Sequence, residues 1–318
     1  MPKIKKAISI QATLGLKNMS MKKKKKMKLL LMISPFMLLV FAFSYVPLFG
    51  WIFAFTNYTP GLKFSKLHFV GLKFFAMIFS DGGEFFNALK NTAILSCLAI
   101  LSTPLPMVLA IMITQLRSNK FKRVIQTITS FPNFISWILI YAIVYMLLSS
   151  QDSAFNKLLM NLHLVSQPTN VLGDGEHAWI IQTILGIYKG IGYSAIIYIA
   201  TIAGINPEYY DAAEVDGAGR LARIWHVTVP HLLPTYIVLL LLAIANFLNN
   251  GFEQFYVFKN PLTVDHLEVL DTYTYRVGLE LSQFSYSTAV GMFKTVISVL
   301  LLMFSNKMAK KLRGESII

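Results

Sequence analysis

The sequence lacks the residue patterns that most enzymes and metal proteins need. Cys97 is the only cysteine among 318 residues, so an intrachain disulfide and a cysteine-based metal site are both excluded. The phosphate-binding pattern G-x-x-x-x-G-K-[ST] does not occur, which excludes ATP hydrolysis by that route, and no G-x-S-x-G elbow occurs either. Five histidines show no paired spacing typical of metal ligands: His163, His177, His226, His231 and His266. We therefore expect no catalytic residue, no metal site and no cofactor bound by this chain.

Charged residues are also scarce. They make up 14% of the chain, against about 25% in soluble domains, while 55% of the residues are hydrophobic. A membrane-spanning helix needs about 20 mostly apolar residues. Six stretches qualify, at roughly 29–54, 87–113, 124–148, 179–203, 232–250 and 286–306. The composition therefore predicts an all-α integral membrane protein with six transmembrane helices.

The basic residues are unevenly distributed between the two sets of connecting segments. Segments 1–28, 114–123, 204–232 and 307–318 hold 20 of the 29 basic residues, whereas segments 56–85, 150–178 and 250–285 hold six. Basic residues concentrate on the cytoplasmic side of a membrane. This distribution predicts a multi-pass protein of the plasma membrane with both termini in the cytoplasm.

Residues 1–28 form a basic arm that precedes a membrane domain at 29–318. Lys22 to Lys26 are consecutive, and no aromatic or glycine pattern accompanies them, which argues against nucleic-acid binding. We expect this arm to lie near anionic lipid headgroups. In the external segment 150–178, residues Phe155–Leu162 are expected to form a short helix, and Pro168 and Gly173 are expected to break the segment after it.

A polar loop at 204–232 separates the fourth and fifth apolar stretches. Asn206 and Pro207 are typical of a helix start, and Gly217 can adopt the positive φ that ends a helix. A second short helix is expected over Gly217–Pro230, tucked beneath the bundle, with its apolar residues Leu221, Ile224, Trp225 and Val229 on or near one face. The pattern predicts two short helices under the membrane, the first of them alanine-rich and exposed.

This loop resembles the E-A-A-x3-G-x9-I-x-L-P loop of permeases in binding-protein-dependent ABC importers. The residues that match without a gap are Asp211, Ala212, Ala213, Gly217, Val227, Val229 and Pro230. Asp211, Val227 and Val229 depart conservatively from the pattern. Asp216-Gly217-Ala218 and Trp225-His226 are similar to the carbohydrate-uptake branch. The resemblance covers residues 29–313 in outline and implies the type I importer permease fold, with a coupling helix between transmembrane helices 4 and 5.

The resemblance also implies partners and a function. The chain would form half of a pore for an oligosaccharide. A second permease subunit would supply the other half, either a homologue in a heterodimer or a copy of this chain. Two separate ATP-binding subunits would bind ATP and Mg, and an extracytoplasmic sugar-binding protein would deliver substrate. The residues implied in ATPase coupling are Tyr209, Tyr210, Asp211, Ala212, Ala213, Asp216, Gly217, Ala218 and Pro230.

The fourth and fifth spans carry polar residues that need a reason. Lys189 would cost about 2.5–3.5 kcal/mol in hydrocarbon, so it should face protein or water. Gly186, Gly190 and Gly192 allow close approach of another helix or of a ligand. By resemblance to maltose-type permeases, the expected substrate-binding residues are Gly186, Lys189, Gly190, Tyr193, Asn246, Phe247 and Asn250. Interhelical hydrogen bonding and glycine packing would explain the same residues equally well.

Three alternative functions remain open from the sequence. An ABC importer for amino acids or peptides would share the loop pattern. An ion-coupled secondary transporter could use Lys189 in a relay, although the inverted repeats of such proteins are not found. An intramembrane transferase would need converging carboxylates or histidines, but the acidic residues are spread among loops.

Overall fold

The computed structural model describes residues 25–63, 66–80, 83–148, 153–163 and 170–313. Within these ranges the chain is almost entirely helical, and the one β contact is an isolated antiparallel bridge between Thr56 and Phe69. The all-α fold predicted from the sequence is confirmed.

Fifteen helical elements follow one another along the described residues. They are α1 (Lys25–Phe55), α2 (Lys73–Ser80), α3 (Gly83–Ser102), α4 (Pro104–Thr114), α5 (Asn119–Ser130), α6 (Trp137–Leu148), α7 (Ala154–Asn161), α8 (Ala178–Ala203), α9 (Glu208–Val215), α10 (Arg220–Arg223), α11 (Val229–Ala245), α12 (Glu253–Phe258), α13 (Val264–Leu267), α14 (Leu270–Tyr275) and α15 (Phe284–Arg313). The predicted short helix at Phe155–Leu162 is α7, shifted by one residue.

Five helical segments among the described residues are long and apolar enough to cross a membrane. They are α1, α3 with α4, α8, the segment Arg220–Ala245, and Phe284–Lys311 within α15. A bent pair, α5 with its extension to Phe134 and α6, makes a sixth. The most apolar window of α1 has no residue buried within the chain, so its side chains are available to lipid or to another protein. The six predicted spans agree with this set.

The third predicted span, 124–148, is wrong as one continuous helix. The chain bends by 99° between Phe134 and Trp137. Pro132 lies in the short 3₁₀ helix Phe131–Phe134 that follows α5, and Ile135 is extended. Proline lacks the N–H that an α-helix requires at that point, so the α-helix gives way there to the 3₁₀ helix, and the bend itself follows at the extended Ile135.

The predicted separate helix over Gly217–Pro230 is also wrong. Arg220–Ala245 is a single apolar helix that contains a π turn at Ile224–Thr228. The Val229 N–H donates to the Ile224 carbonyl in that turn, and Pro230 occupies the first turn of α11, so the helix passes the proline without a break. Leu221 and Trp225, expected beneath the bundle, are 73% and 66% exposed.

Other sequence expectations concern the end of the fifth span, the basic arm and the loop at 150–178. The fifth span ends at Ala245 rather than at residue 250, because residues 246–250 form turns that lead into Gly251 at φ +88°. The basic arm lies mostly outside the described residues, and its last residues, Lys25–Lys28, belong to α1. Pro168, expected to break the loop at 150–178, lies outside the described residues.

Three clusters of buried residues hold the described helices together. One joins α2, α3, α14 and α15 through Ile78, Phe85, Leu270 and Val290. A second joins α3, α6, α8 and α12 through Leu95, Ile140, Ala178 and Phe255. The third joins α4, α8 and α11 through Ala110, Ala195, Tyr198 and Leu232. Residues 95–106 of α3 and α4 form part of the wall of a cavity between the helices.

Candidate functional site

A cavity of about 410 Å³ lies between α3 and α4, α8, and the turn that follows α11. Of the seven residues predicted to bind substrate, five line it: Gly186, Gly190, Asn246, Phe247 and Asn250. These come from two segments some 60 residues apart in sequence, which the fold brings to one space. Lys189 and Tyr193 do not line this cavity. Tyr193 is 53% exposed, with its ring at right angles to that of Phe134.

Buried hydrogen bonds fix the polar wall of the cavity. The Ser96 hydroxyl donates to the Phe247 carbonyl and lies 3.1 Å from Asn250 Oδ1. Gln254 Nε2 donates to both the backbone carbonyl and the Oε1 of Gln182, at 2.9 and 2.8 Å. Buried polar groups with satisfied hydrogen bonds hold defined positions. The wall therefore presents ordered amides and hydroxyls, which suit a ligand rich in hydroxyl groups.

Ser96 and Gln182 were not expected as site residues. Both are buried, at 6% and 3% exposure, and both line the cavity. No motif surrounds either of them. Their only signal in the sequence is a polar side chain within an apolar span, and that signal does not separate cavity residues from residues that join two helices.

The three glycines of α8 have two different roles. An added Cβ at Gly186 or Gly190 would meet nothing within 4 Å, and both glycines border the cavity. An added Cβ at Gly192 would lie 2.1 Å from the Thr129 carbonyl oxygen of α5. Close helix approach therefore explains Gly192, whereas Gly186 and Gly190 keep the cavity open.

Lys189 stabilises the break in the third span. Its Nζ donates to the carbonyl oxygens of Asn133, at 2.9 Å, and Ile135, and lies 3.4 Å from that of Pro132. It also lies 5.4 Å from the centre of the Trp137 ring. The Pro132 carbonyl accepts from the Ile135 N–H at 3.2 Å, whereas the carbonyls of Asn133 and Ile135 have no backbone partner among the described residues, and the ammonium group supplies their donors. The expectation that Lys189 faces protein is confirmed.

We expect Lys189→Met to lower the thermal stability of the protein in detergent. The substitution keeps an unbranched side chain but leaves the carbonyls at the break unpaired, at a cost of about 1–3 kcal/mol. Lys90→Met is the matched control, because Lys90 is exposed on α3. The melting temperature should fall for the first variant only; equal melting temperatures for both would show that the break does not depend on Lys189.

At one end of the bundle, α9 is capped at both termini. The Asn206 Oδ1 accepts from the Glu208 N–H at 3.1 Å, as expected of a residue that starts a helix, although Pro207 occupies the capping position itself. Gly217 has φ +77°, and the Ala218 N–H donates to the Ala213 carbonyl at 2.8 Å. This is the Schellman pattern of a helix end that uses glycine. The expected end at Gly217 is confirmed, whereas the helix begins one residue later than expected, with Pro207 rather than Asn206 as its N-cap.

Side chains connect α9 and α10 to the membrane helices. The Tyr210 hydroxyl lies 3.0 Å from the Thr228 hydroxyl, and the Tyr209 ring lies 5.2 Å from the His231 ring. Arg220 Nε donates at 2.9 Å to the side chain of Gln115, which ends α4, and its guanidinium also reaches the Gln115 carbonyl. The loop at 204–232, called the α9 loop below, is thus attached to both the second and the fifth span.

The residues predicted for ATPase coupling divide by exposure. Six of them are exposed: Tyr209, Asp211, Ala212, Asp216, Gly217 and Pro230. The other three are half-buried: Tyr210, Ala213 and Ala218. Val215, which the sequence did not single out, is 89% exposed at the end of α9. With Leu221 and Trp225 it adds apolar surface beside the exposed face of this helix.

The opposite end of the bundle carries a partly buried ion network. Glu268 accepts from Arg276 Nε at 2.7 Å and lies 3.2 Å from Lys259 Nζ, while Arg276 also reaches Glu84 at 2.8 Å. These carboxylates raise the pKa of the Arg276 guanidinium above its ordinary value, against the opposing effect of burial. Asn91 Nδ2 donates to the Glu268 carbonyl at 3.0 Å. The segment between α12 and α15 is therefore fixed to α3.

Comparison with known proteins identifies the class. Residues 102–314 match the family described as binding-protein-dependent transport system inner membrane component. Two proteins of Bacillus subtilis (strain 168) are each 37% identical to this chain. Protein LplB matches over 89% of this chain and 88% of its own length. The polygalacturonan/rhamnogalacturonan transport system permease protein YteP matches over 90% of this chain and 88% of its own length. A chain of a bacterial alginate ABC transporter, solved with a periplasmic protein that holds an alginate pentasaccharide, superimposes with a TM-score of 0.84 at 31% identity, covering 92% of this chain and 98% of that one.

The chain belongs to this family of inner-membrane transport components. It is a multi-pass membrane protein with the importer permease fold, and a transport component rather than an enzyme.

Proposed function

We propose that this chain is the permease subunit of an ATP-driven importer of oligosaccharides in a bacterial plasma membrane. The observation that carries the proposal is a cavity within the spans that amides and hydroxyls line beside apolar side chains, combined with an exposed helix at one end of the same spans. A second permease subunit completes the pore, and the cavity described above is this chain's part of the substrate path. The names of YteP and of the alginate transporter support a saccharide as the substrate.

The α9 loop is the proposed docking site for an ATP-binding subunit. Its exposed face is low in relief because Ala212 and Ala213 lack long side chains, which suits insertion of a helix into a groove. Each of two ATP-binding subunits carries ATP and Mg, and one of them contacts this loop. Arg220 and Tyr210 then carry displacement of the loop to α4 and to the start of the fifth span.

The direction of insertion follows from the charges. Both termini and the α9 loop lie in the cytoplasm, because the segments on that side hold most of the basic residues. The segment from α12 to α14 then faces outward, where a sugar-binding protein delivers the substrate. Because this segment is attached to α3, it offers the sugar-binding protein a fixed surface.

The test is co-purification followed by transport. The tagged chain is extracted in detergent, its partners are identified by mass spectrometry, and the assembly is reconstituted with ATP inside the vesicles. We expect a second permease and an ATP-binding subunit to co-purify, and oligosaccharide uptake to require ATP. Uptake that needs an ion gradient and no ATP-binding subunit would establish a secondary transporter instead. If peptides or amino acids inhibit the uptake and saccharides do not, the substrate is a peptide or an amino acid rather than an oligosaccharide.

A further inference from the structure

The cavity wall contains no ionisable side chain among the residues that the structure describes. Its polar members are amides and hydroxyls: Ser96, Ser102, Thr103, Gln182, Thr183, Ser194, Asn246, Asn249, Asn250 and Gln254. Phe247 and Phe255 add aromatic surface. Neutral amides donate to and accept from hydroxyl groups, and aromatic rings pack on the apolar faces of sugar rings. The wall offers no formal positive charge to a bound anion.

Lys189, the one lysine of α8, forms its hydrogen bonds outside the cavity. It does not line the cavity, and its ammonium group donates to the backbone carbonyls of Asn133 and Ile135 at the break in the third span. Releasing it would leave those carbonyls unpaired within the membrane. Lys189 is therefore not available to a ligand in the cavity.

The cations of the neighbouring segment are paired as well. Arg276 and Lys259 both contact Glu268, and Lys294 contacts Asp271. A carboxylate that moves from water into this partly open cavity loses part of its hydration, and the amides and hydroxyls of the wall, unlike a cation, give it no opposite charge. On this chain's side of the pore, an acidic sugar would lose hydration without gaining a counter-charge.

We infer that the sugar units held against this chain are uncharged, as in a neutral oligosaccharide. This inference rests on the proposed function and narrows it. It also separates this chain from the similar alginate transporter, because alginate is an acidic polysaccharide by the description of that transporter.

The experiment compares one pair of substrates in the reconstituted assembly with its binding protein. The pair is a uronate trisaccharide and its methyl ester, which have the same linkages and differ in the carboxylate charge. Asn246→Lys places a cation in the cavity at an exposed position that follows α11, where a positive charge also suits the helix end. Asn246→Gln is the uncharged control, and Asn249→Lys is a second exposed position on the same wall.

For the wild type we expect Vmax/KM to favour the ester by about tenfold or more, the size expected of one charge-assisted hydrogen bond. Asn246→Lys and Asn249→Lys should shift the ratio towards the acid by a similar factor, whereas Asn246→Gln should not. Because the binding protein is the same in every arm, a shift caused by one residue of this chain reports on this cavity.

A wild type that prefers the acid, or a ratio that neither lysine changes, would overturn the inference while leaving a saccharide importer in place. Absence of ATP-dependent uptake of any saccharide would overturn the proposed function itself, and with it the inference. The two failures are therefore distinguishable.

Discussion

Gly217→Pro is expected to abolish ATP-driven uptake while the protein still reaches the membrane. Gly217 has φ +77°, a value that proline cannot adopt, and its N–H donates to the Glu214 carbonyl at 3.0 Å. Strain of this kind costs about 1–3 kcal/mol locally, enough to unwind the end of an eight-residue helix. The ATP-binding subunit should then be lost from the purified assembly, and uptake of labelled oligosaccharide should fall to background.

Gly219→Pro is the matched control two residues further along. Gly219 has φ −65°, which is the proline value, and precedes α10 as its N-terminal cap. No hydrogen bond among the described residues uses its N–H. It should retain both the ATP-binding subunit and uptake. If Gly217→Pro transported normally, the docking assignment of the α9 loop would be wrong.

Gly192→Val is expected to have the second large effect, on folding rather than on coupling. A Cβ at this position would lie 2.1 Å from the Thr129 carbonyl oxygen and 2.6 Å from the Ser130 N, both backbone atoms that cannot rotate away. Overpacking of this kind typically costs about 1–3 kcal/mol, and more when backbone must move. We expect a marked loss of folded protein in detergent, measured by thermal unfolding and by size-exclusion chromatography.

Gly190→Ala provides the comparison, since it lies two residues away on the same helix with no atom within 4 Å of the added Cβ. Its stability should be unchanged or higher by about 0.4–1 kcal/mol, because alanine restricts the unfolded chain. Equal stability losses at positions 190 and 192 would contradict the close approach of α5 to α8 at Gly192.

The sequence predicted the fold well where one strong signal dominated. Apolar length predicted six spans, and Asn206 and Gly217 predicted the ends of α9, its start to within one residue, because each relies on local chemistry. It failed at residues 124–148, where Pro132 breaks a strongly apolar stretch. Apolar composition indicates that a segment lies in the membrane, but it carries no information on the direction of the helix axis. The 99° bend is therefore not visible in the hydropathy of the sequence.

The cavity was predicted only in part for a similar reason. Gly186, Gly190, Asn246, Phe247 and Asn250 were expected from resemblance, and the fold brings them together. Lys189 was grouped with them by the same resemblance, yet its amine donates to carbonyls at the break between α5 and α6. Which face of a helix a residue occupies depends on its neighbours in space, and these become visible only once the bundle is assembled.

The helix Arg220–Ala245 continues through the π turn at Ile224–Thr228 to the edge of the cavity. Its 26 residues span about 38 Å at 1.5 Å per residue, and the cavity residues Asn246 and Phe247 follow directly at its far end. A tilt of about 10° about its Arg220 end would carry Asn246 by about 7 Å over that length. A small rotation at the α9 end of this helix would therefore become a displacement about the size of a sugar ring at the cavity.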